Sequence, residues 1–233
     1  MPNRALGLDL GQVSDPTALA VVEWSTRPDG RYDYALRHLE RVPLGTGYPA
    51  IVEHVAKLMR SDDLTDAKLL VDATGVGRPV VDLLRHAGLE PQGVVVHGGG
   101  ETTVDQNGYT RVPKRLLVNT TQVLLQERRL RVPRSLRYVK ELEDELLRFE
   151  VKITDAGADT YGAWREGQHD DLVFALCLAC WYGECQAAVD AFVQRHPTGT
   201  VTQYRPAPKR PSLVGKPTLV KNDDGTYRIE RAA

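Results

Sequence analysis

The sequence predicts an α/β protein built on one mixed sheet with helices around it. Two apolar runs, residues 4–10 and 17–24, are separated by a short turn containing Gly, Ser, Asp and Pro, which predicts an antiparallel strand pair. Residues 31–42 (RYDYALRHLERV) mix apolar and charged positions as a third strand with one wet face does. Helical and strand-like segments then alternate, which indicates parallel strands joined by helices. An antiparallel meander of strands 1–3 is therefore extended by parallel strands.

Each segment after the meander has its own pattern. Apolar residues at helical spacing predict a helix over residues 48–60, and KLLVD at 68–72 is a short apolar strand of the kind that is buried on both faces. A Gly-rich turn leads into a predicted helix over residues 78–86. The stretch QGVVVH at 92–97 predicts another buried strand, and GGGETTVDQNGYT at 98–110 predicts a flexible, polar connection.

The C-terminal half predicts mostly helices. We expect helices over residues 112–126 and 136–148 on either side of the extended piece LRVP, a small hairpin formed by residues 149–153 and 160–164, and a nearly all-apolar helix from Asp170 to about Cys185. Residues 1–190 then form one domain. Residues 191–233 are a Pro-rich and basic tail without a core pattern, which we expect to be flexible or bound by a partner.

Composition limits the classes of protein that fit. The 233 residues are 42% hydrophobic, as in an ordinary globular domain, and no secretion signal or apolar run near the length of a membrane span is visible. We therefore expect a cytoplasmic protein that does not contact a membrane. Cys177, Cys180 and Cys185 lie in the apolar helix without a second ligand pair, which predicts buried free thiols. The net charge of −1 excludes a uniformly basic nucleic-acid binder.

Acidic residues occupy three separate predicted elements. Asp9 lies within the apolar first strand, Asp72 ends the strand KLLVD, and Asp170 and Asp171 begin the apolar helix. Taken singly, each acid has a structural explanation. Asp9 would accept hydrogen bonds from turn amides, and Asp170 and Asp171 would cap the N-terminus of the helix. Taken together, clustered carboxylates repel unless a cation neutralises them, and their oxygens select Mg²⁺ or Mn²⁺. Two such ions suit in-line cleavage of a phosphodiester.

One further acid, one histidine and a basic segment complete the candidate site residues. Asp15, in a Ser-Asp-Pro turn, is interpreted as a turn residue with an accessory role as the alternative, and His169 is a possible accessory group beside the helix start. Residues 111–140 carry nine basic side chains against Glu127. A solvated helix face explains them, and so does DNA phosphate binding. The proposed phosphate contacts are Lys114, Arg115, Arg128, Arg129 and Arg131.

Four blocks in this order resemble the nuclease domain of phage terminase large subunits: GLDLGQVSDPTALAVVE, LLVDATGVGRPVVDLL, VPKRLLVNTTQVLLQERRLRVP and GQHDDLVFALCLA. The resemblance spans about residues 4–182 and implies a ribonuclease H-like fold. It also implies that Asp9, Asp72 and one or both of Asp170 and Asp171 bind two divalent ions and cut double-stranded DNA during genome packaging. Asp9 is the first choice for a ligand that bridges both ions.

The resemblance also sets expectations for partners and leaves alternatives open. The sequence has no G-x-x-x-x-G-K-[ST] phosphate loop, so we expect the packaging ATPase on another chain or on a part of the protein outside this sequence, with a small terminase subunit and a portal as further partners. A Holliday-junction resolvase shares the scaffold. An ATP-binding protein of the actin and sugar-kinase type also starts with an Asp-Leu-Gly hairpin, although no second such hairpin follows. A domain without activity that docks through its tail is the third alternative.

Overall fold

In the computed structural model, an eight-stranded mixed sheet carries helices on both faces, with the strand order β6-β7-β5-β4-β1-β2-β3-β8. The structure describes residues 3–11, 15–148, 170–195, 217–221 and 227–231. The strands are β1 (Arg4–Asp9), β2 (Thr17–Thr26), β3 (Tyr32–Val42), β4 (Lys68–Asp72), β5 (Gln92–His97), β6 (Thr103–Val104), β7 (Thr110–Pro113), β8 (Leu130–Arg131), β9 (Pro217–Lys221) and β10 (Tyr227–Arg231). The helices are α1 (Tyr48–Met59), α2 (Gly77–His86), α3 (Lys114–Gln126), α4 (Val139–Arg148) and α5 (Asp171–Arg195).

The strand pairing confirms the predicted sheet. Strands β1, β2 and β3 pair antiparallel as a meander, and β1, β4, β5 and β7 pair parallel in sequence. The turn from β1 to β2 is tight at Gly11, because a Cβ there would lie 1.9 Å from the carbonyl oxygen of Asp15. Glycine is therefore required at this turn for steric reasons.

Strand β1 has a different helix layer on each face. Leu6 and Leu8 belong to the apolar cluster that contains the buried residues of α1 and α2, whereas Ala5 belongs to the cluster formed with α3 and α5. Because side chains alternate along a strand, Gly7 and Asp9 share the α5 face with Ala5. A Cβ at Gly7 would lie 2.0 Å from the carbonyl oxygen of Ala175, so α5 packs directly on the β1 backbone. This close approach brings the start of α5 near Asp9.

The structure differs from the sequence prediction at several boundaries. The stretch predicted as a flexible connection contains β6, which pairs antiparallel with β7. Helix α3 begins at Lys114 rather than at residue 112, because Val112 and Pro113 still pair with β5. Helix α5 continues ten residues beyond Cys185, to Arg195. The hairpin predicted over residues 149–164 lies outside the described residues.

Within the C-terminal segment that we predicted to lack a core pattern, the structure describes a hairpin. Strands β9 and β10 pair antiparallel, from Pro217 opposite Arg231 to Lys221 opposite Tyr227. The stretch YRIER in this segment thus forms the second strand of the pair. The two strands lie against α4 and α3, respectively.

Helix α5 is the central helix of the fold. Its residues from Leu172 to Cys180 are buried between the sheet and the other helices. By length and hydropathy alone α5 is able to cross a membrane, which corrects the prediction that no segment approaches that length, but 61% of its most apolar window is buried inside the fold. Core helices of soluble proteins pass the same test. Cys177 and Cys180 are buried free thiols, as predicted, whereas Cys185 is a free thiol that is only half-buried.

Candidate active site

Two of the predicted acids lie side by side at one end of the sheet. Strand β1 pairs parallel with β4, with Leu8 opposite Val71, so the next position places Asp9 beside Asp72. Both side chains point to the α5 face, since Gly7 and Leu70 do so two residues earlier. The backbone amide of Thr74 donates a hydrogen bond of 2.8 Å to Asp72 Oδ1. The turn after β4 thereby fixes the orientation of the Asp72 carboxylate.

The start of α5 adds a third acid to this end of the sheet. Asp170 immediately precedes the helix, and its carbonyl oxygen accepts the hydrogen bond of the Phe174 amide. The Asp170 carboxylate lies 3.7 Å from Nζ of Lys114, the first residue of α3. Asp9, Asp72 and Asp170 are thus grouped around the N-termini of two helices, where the helix dipoles favour negative charge.

An open cleft of about 320 Å³ lies at the acids. Asp9, Asp15, Asp170 and Asp171 line it, together with apolar and backbone atoms of the β1–β2 turn. Asp15, interpreted from the sequence as a turn residue, therefore also belongs to the wall of the cleft. His169, the other predicted accessory group, lies outside the described residues.

Asp171 has a different environment from Asp170. Its two carboxylate oxygens accept hydrogen bonds of 2.7 and 2.9 Å from Arg41 at the end of β3, and only 5% of the Asp171 side chain is exposed. Arg41 also forms a close ion pair with Glu145 of α4. Glu145 in turn accepts a 3.0 Å hydrogen bond from the Val173 amide in the first turn of α5. This network, which we name the Arg41 network, ties the start of α5 to β3 and α4.

Neither Arg41 nor Glu145 is among the site residues predicted from the sequence. Arg41 lies 130 residues before Asp171, and Glu145 is one of four acids in the charged stretch of α4. The sequence carries a weak signal for Arg41, because a cation at the end of a half-buried strand needs a partner. It carries no signal that distinguishes Glu145 from its acidic neighbours.

The electrostatics of the grouped acids show excess negative charge. Burial, followed by the neighbouring carboxylates of Asp72, Asp170 and Asp171, raises the pKa of Asp9 well above its usual range. Burial also raises the pKa of Asp72 and of Asp170, whereas Lys114 opposes the rise in all three groups. When ionised, the three carboxylates carry more negative charge than the Lys114 ammonium compensates. Divalent cations would supply the missing positive charge.

The chemistry of the donors fits Mg²⁺ or Mn²⁺, which are bound by carboxylate oxygens. Across the described ranges of the chain, no three His, Cys, Asp or Glu side chains are already gathered as a metal-binding group. The ammonium of Lys114, at the start of α3, interacts electrostatically with Asp9 and Asp170. The residues present therefore fit a divalent ion in charge and in oxygen chemistry.

The predicted DNA-binding residues do not form one surface. Arg129 is buried, with its guanidinium bonded to the carbonyl oxygen of Tyr32 at 2.8 Å and ion-paired with Glu184. We therefore correct its predicted role, because a guanidinium held in the core is unable to contact phosphates. Its partners attach the end of α3 to β3 and α5.

The remaining basic residues lie at opposite ends of α3. Arg128 and Arg131 are exposed but follow the C-terminal end of this 13-residue helix, about 20 Å from Lys114. Arg115 is exposed at the end near the acids, where its guanidinium lies close to Gly100. Lys114 itself is mostly covered, with 13% of its side chain exposed. Of the five predicted contacts, Arg115 thus combines exposure with proximity to the cleft.

A meander extended by parallel strands, with acids on β1, at the end of β4 and before α5, defines a ribonuclease H-like nuclease domain. The family model described as the terminase RNaseH-like domain matches residues 6–182. The chain belongs to this terminase nuclease family, which confirms the resemblance noted in the sequence. Comparison with curated protein sequences gives no significant match.

Three solved structures are similar to this chain. The large terminase nuclease from thermophilic phage G20c has 22% identity and a TM-score of 0.49, over 76% of this chain and 80% of that chain. The g2p (large terminase) nuclease domain from bacteriophage SPP1, with bound Mn, has 13% identity and a TM-score of 0.46, over 76% and 85%. The human cytomegalovirus terminase nuclease domain, soaked with Mn, has 14% identity and a TM-score of 0.47, over 76% and 81%. Because these TM-scores are below 0.5, the family match carries the assignment.

Proposed function

We propose that this protein is a divalent-metal-dependent endonuclease that cuts duplex DNA during phage genome packaging. The grouping of Asp9, Asp72 and Asp170 at one end of the sheet, with more negative charge than Lys114 compensates, is the observation that carries the proposal. Two Mg²⁺ or Mn²⁺ ions bound there would supply activation of the attacking water and stabilisation of the leaving oxygen. Partners of the reaction would be a packaging ATPase, a small terminase subunit and a portal, in the cytoplasm of the bacterial host.

Different residues of the chain would have different roles in this reaction. Asp9 would hold both ions, because it is next to Asp72 on the adjacent strand and close enough to Asp170 for their charges to interact. Thr74 orients Asp72 by its amide hydrogen bond. We assign the direct ligand on α5 to Asp170, since both oxygens of Asp171 are bonded to Arg41. Asp171 is then a positioning residue that holds Asp170 in register with the sheet.

Cleavage assays on supercoiled plasmid test the proposal directly. We expect nicking and linearisation with MnCl₂ or MgCl₂ and no cleavage in EDTA, because the acids repel the phosphate unless a cation is bound. Linear duplex and a four-way junction of matched length serve as competing substrates. A packaging nuclease cuts linear duplex with little sequence preference, whereas strong preference for the junction would support a resolvase. Metal-independent cleavage by the purified protein would contradict the metal site.

DNA binding is expected to depend on Arg115 more than on Arg131. Both arginines are exposed, but Arg115 lies near the cleft and Arg131 lies at the far end of the sheet. Replacing Arg115 by Ala should weaken binding of duplexes of any sequence and reduce the slope of log K against log salt by about one. Arg131→Ala is the matched control and should leave the slope unchanged. Fluorescence anisotropy over a salt series measures both, and equal effects of the two replacements would sink the assignment.

A further inference from the structure

Lys114 is held between α3 and the first turn of α5. It is the first residue of α3, and it follows β7 directly. Its ammonium lies 3.7 Å from Asp170 Oδ2 and 4.5 Å from the centre of the Phe174 ring, which is one helical turn after Asp170. A cation over an aromatic face is stabilised by the ring quadrupole. The side chain is thus fixed along α5 toward the acids and away from solvent.

The charge of Lys114 acts on all three acids of the proposed metal site. It favours ionisation of Asp9, Asp72 and Asp170, and it opposes their mutual repulsion. Burial lowers the pKa of Lys114, while Asp170 and Asp9 raise it. Burying an ammonium is unfavourable unless nearby carboxylates compensate its charge. Lys114 and the acids therefore stabilise each other in the protein without metal.

We infer that Lys114 is an internal counter-ion, which stabilises the acid cluster before metal binds and competes with the divalent ion for Asp170. This inference rests on the proposed function and deepens it. The Lys114 ammonium, 3.7 Å from Asp170 Oδ2, would repel a divalent cation and is paired with a carboxylate that would hold that cation. The acids therefore repel one another less before metal binds than they would without Lys114. The affinity for metal is lower than the three carboxylates alone would give.

Replacement of Lys114 by Met separates these effects, since Met keeps an unbranched apolar chain beside Phe174. We expect MnCl₂ to bind at least about tenfold more tightly to Lys114→Met than to the parent, because the competing charge is gone. In EDTA the melting temperature of the variant should fall. The rise in melting temperature on addition of saturating MnCl₂ should be larger than for the parent, because binding to the folded state alone stabilises it. Isothermal titration calorimetry and thermal unfolding measure these quantities without any cleavage assay.

Two further variants make the result specific. Lys114→Arg retains the charge and should bind MnCl₂ as weakly as the parent. Arg111→Met, three residues earlier and exposed on β7, should change neither the MnCl₂ affinity nor the melting temperature in EDTA. If the parent binds MnCl₂ and Lys114→Met binds it equally or more weakly, the counter-ion inference is wrong and the proposed function stands. If the parent binds no MnCl₂, the proposed function fails, and the inference fails with it.

Discussion

Replacement of Asp9 by Asn is expected to abolish DNA cleavage and, in the absence of metal, to stabilise the fold. The amide has the same shape but carries no charge for a metal. The loss of cleavage should exceed about 100-fold, because even residues that only orient a metal ligand contribute about 10- to 100-fold. The melting temperature in EDTA should rise, since one of the mutually repelling carboxylates is removed. Plasmid cleavage with MnCl₂ and thermal unfolding in EDTA measure the two effects.

The opposite signs of these two effects distinguish a functional acid from a structural one. Asp82→Asn is the matched control, because Asp82 lies on α2 with 61% of its side chain exposed and pairs only with the surface residue Arg85 among the ion pairs described. Its replacement should change the free energy of unfolding by less than about 0.5 kcal/mol and leave cleavage intact. If folded Asp9→Asn protein cuts plasmid as fast as the parent does, the assignment of the metal site must be abandoned.

Replacement of Arg41 by Met is expected to lower the free energy of unfolding by about 3–5 kcal/mol, because it leaves two buried carboxylates without their cation. Burial and Asp171 already raise the pKa of Glu145 to about 8, while the Val173 amide and Arg41 oppose that rise. Urea denaturation measures the change. Arg37→Met is the control on the same strand. Arg37 is 58% exposed and pairs with Glu23, so its loss should change the free energy of unfolding by at most about 1 kcal/mol.

A second replacement tests whether the Arg41 network acts as a unit. In the Arg41→Met background, Asp171→Asn removes one of the unpaired acids, so the double variant should recover part of the lost stability. Cleavage by the double variant should stay low at temperatures where it is folded, because the start of α5 has lost its anchor to β3. Additive losses from the two replacements would show that Arg41 and Asp171 are not coupled.

The elements of this fold follow from local sequence patterns to a large extent. Strand β1, the strand that ends at Asp72 and the apolar helix after Asp170 are visible as runs of characteristic length and spacing. The parallel pairing of β1 and β4 then brings their acids to the same end of the sheet. Patterns of this kind are local, and each is set by a few neighbouring residues.

The contacts between distant segments do not follow from such patterns. Arg128, Arg129 and Arg131 are alike in sequence, yet the central one is buried against Tyr32 and Glu184. The difference arises because Arg128 has a positive φ of 56°, which turns the chain at the end of α3 and directs the next residue inward. The different environments of Asp170 and Asp171 also depend on distant segments, because Arg41 comes from β3 and Glu145 comes from α4.

The direct packing of α5 on Gly7 has a consequence for how this protein tolerates variation. Any larger side chain at residue 7 would collide with the Ala175 carbonyl and move α5, which Asp170 immediately precedes, away from the strand that carries Asp9. A genetic selection for DNA cleavage would therefore rank this glycine with the acids, although it has no functional group to offer. The property that matters at Gly7 is the distance between the sheet and α5, which must stay short enough for carboxylates at their ends to hold the proposed metal ions together.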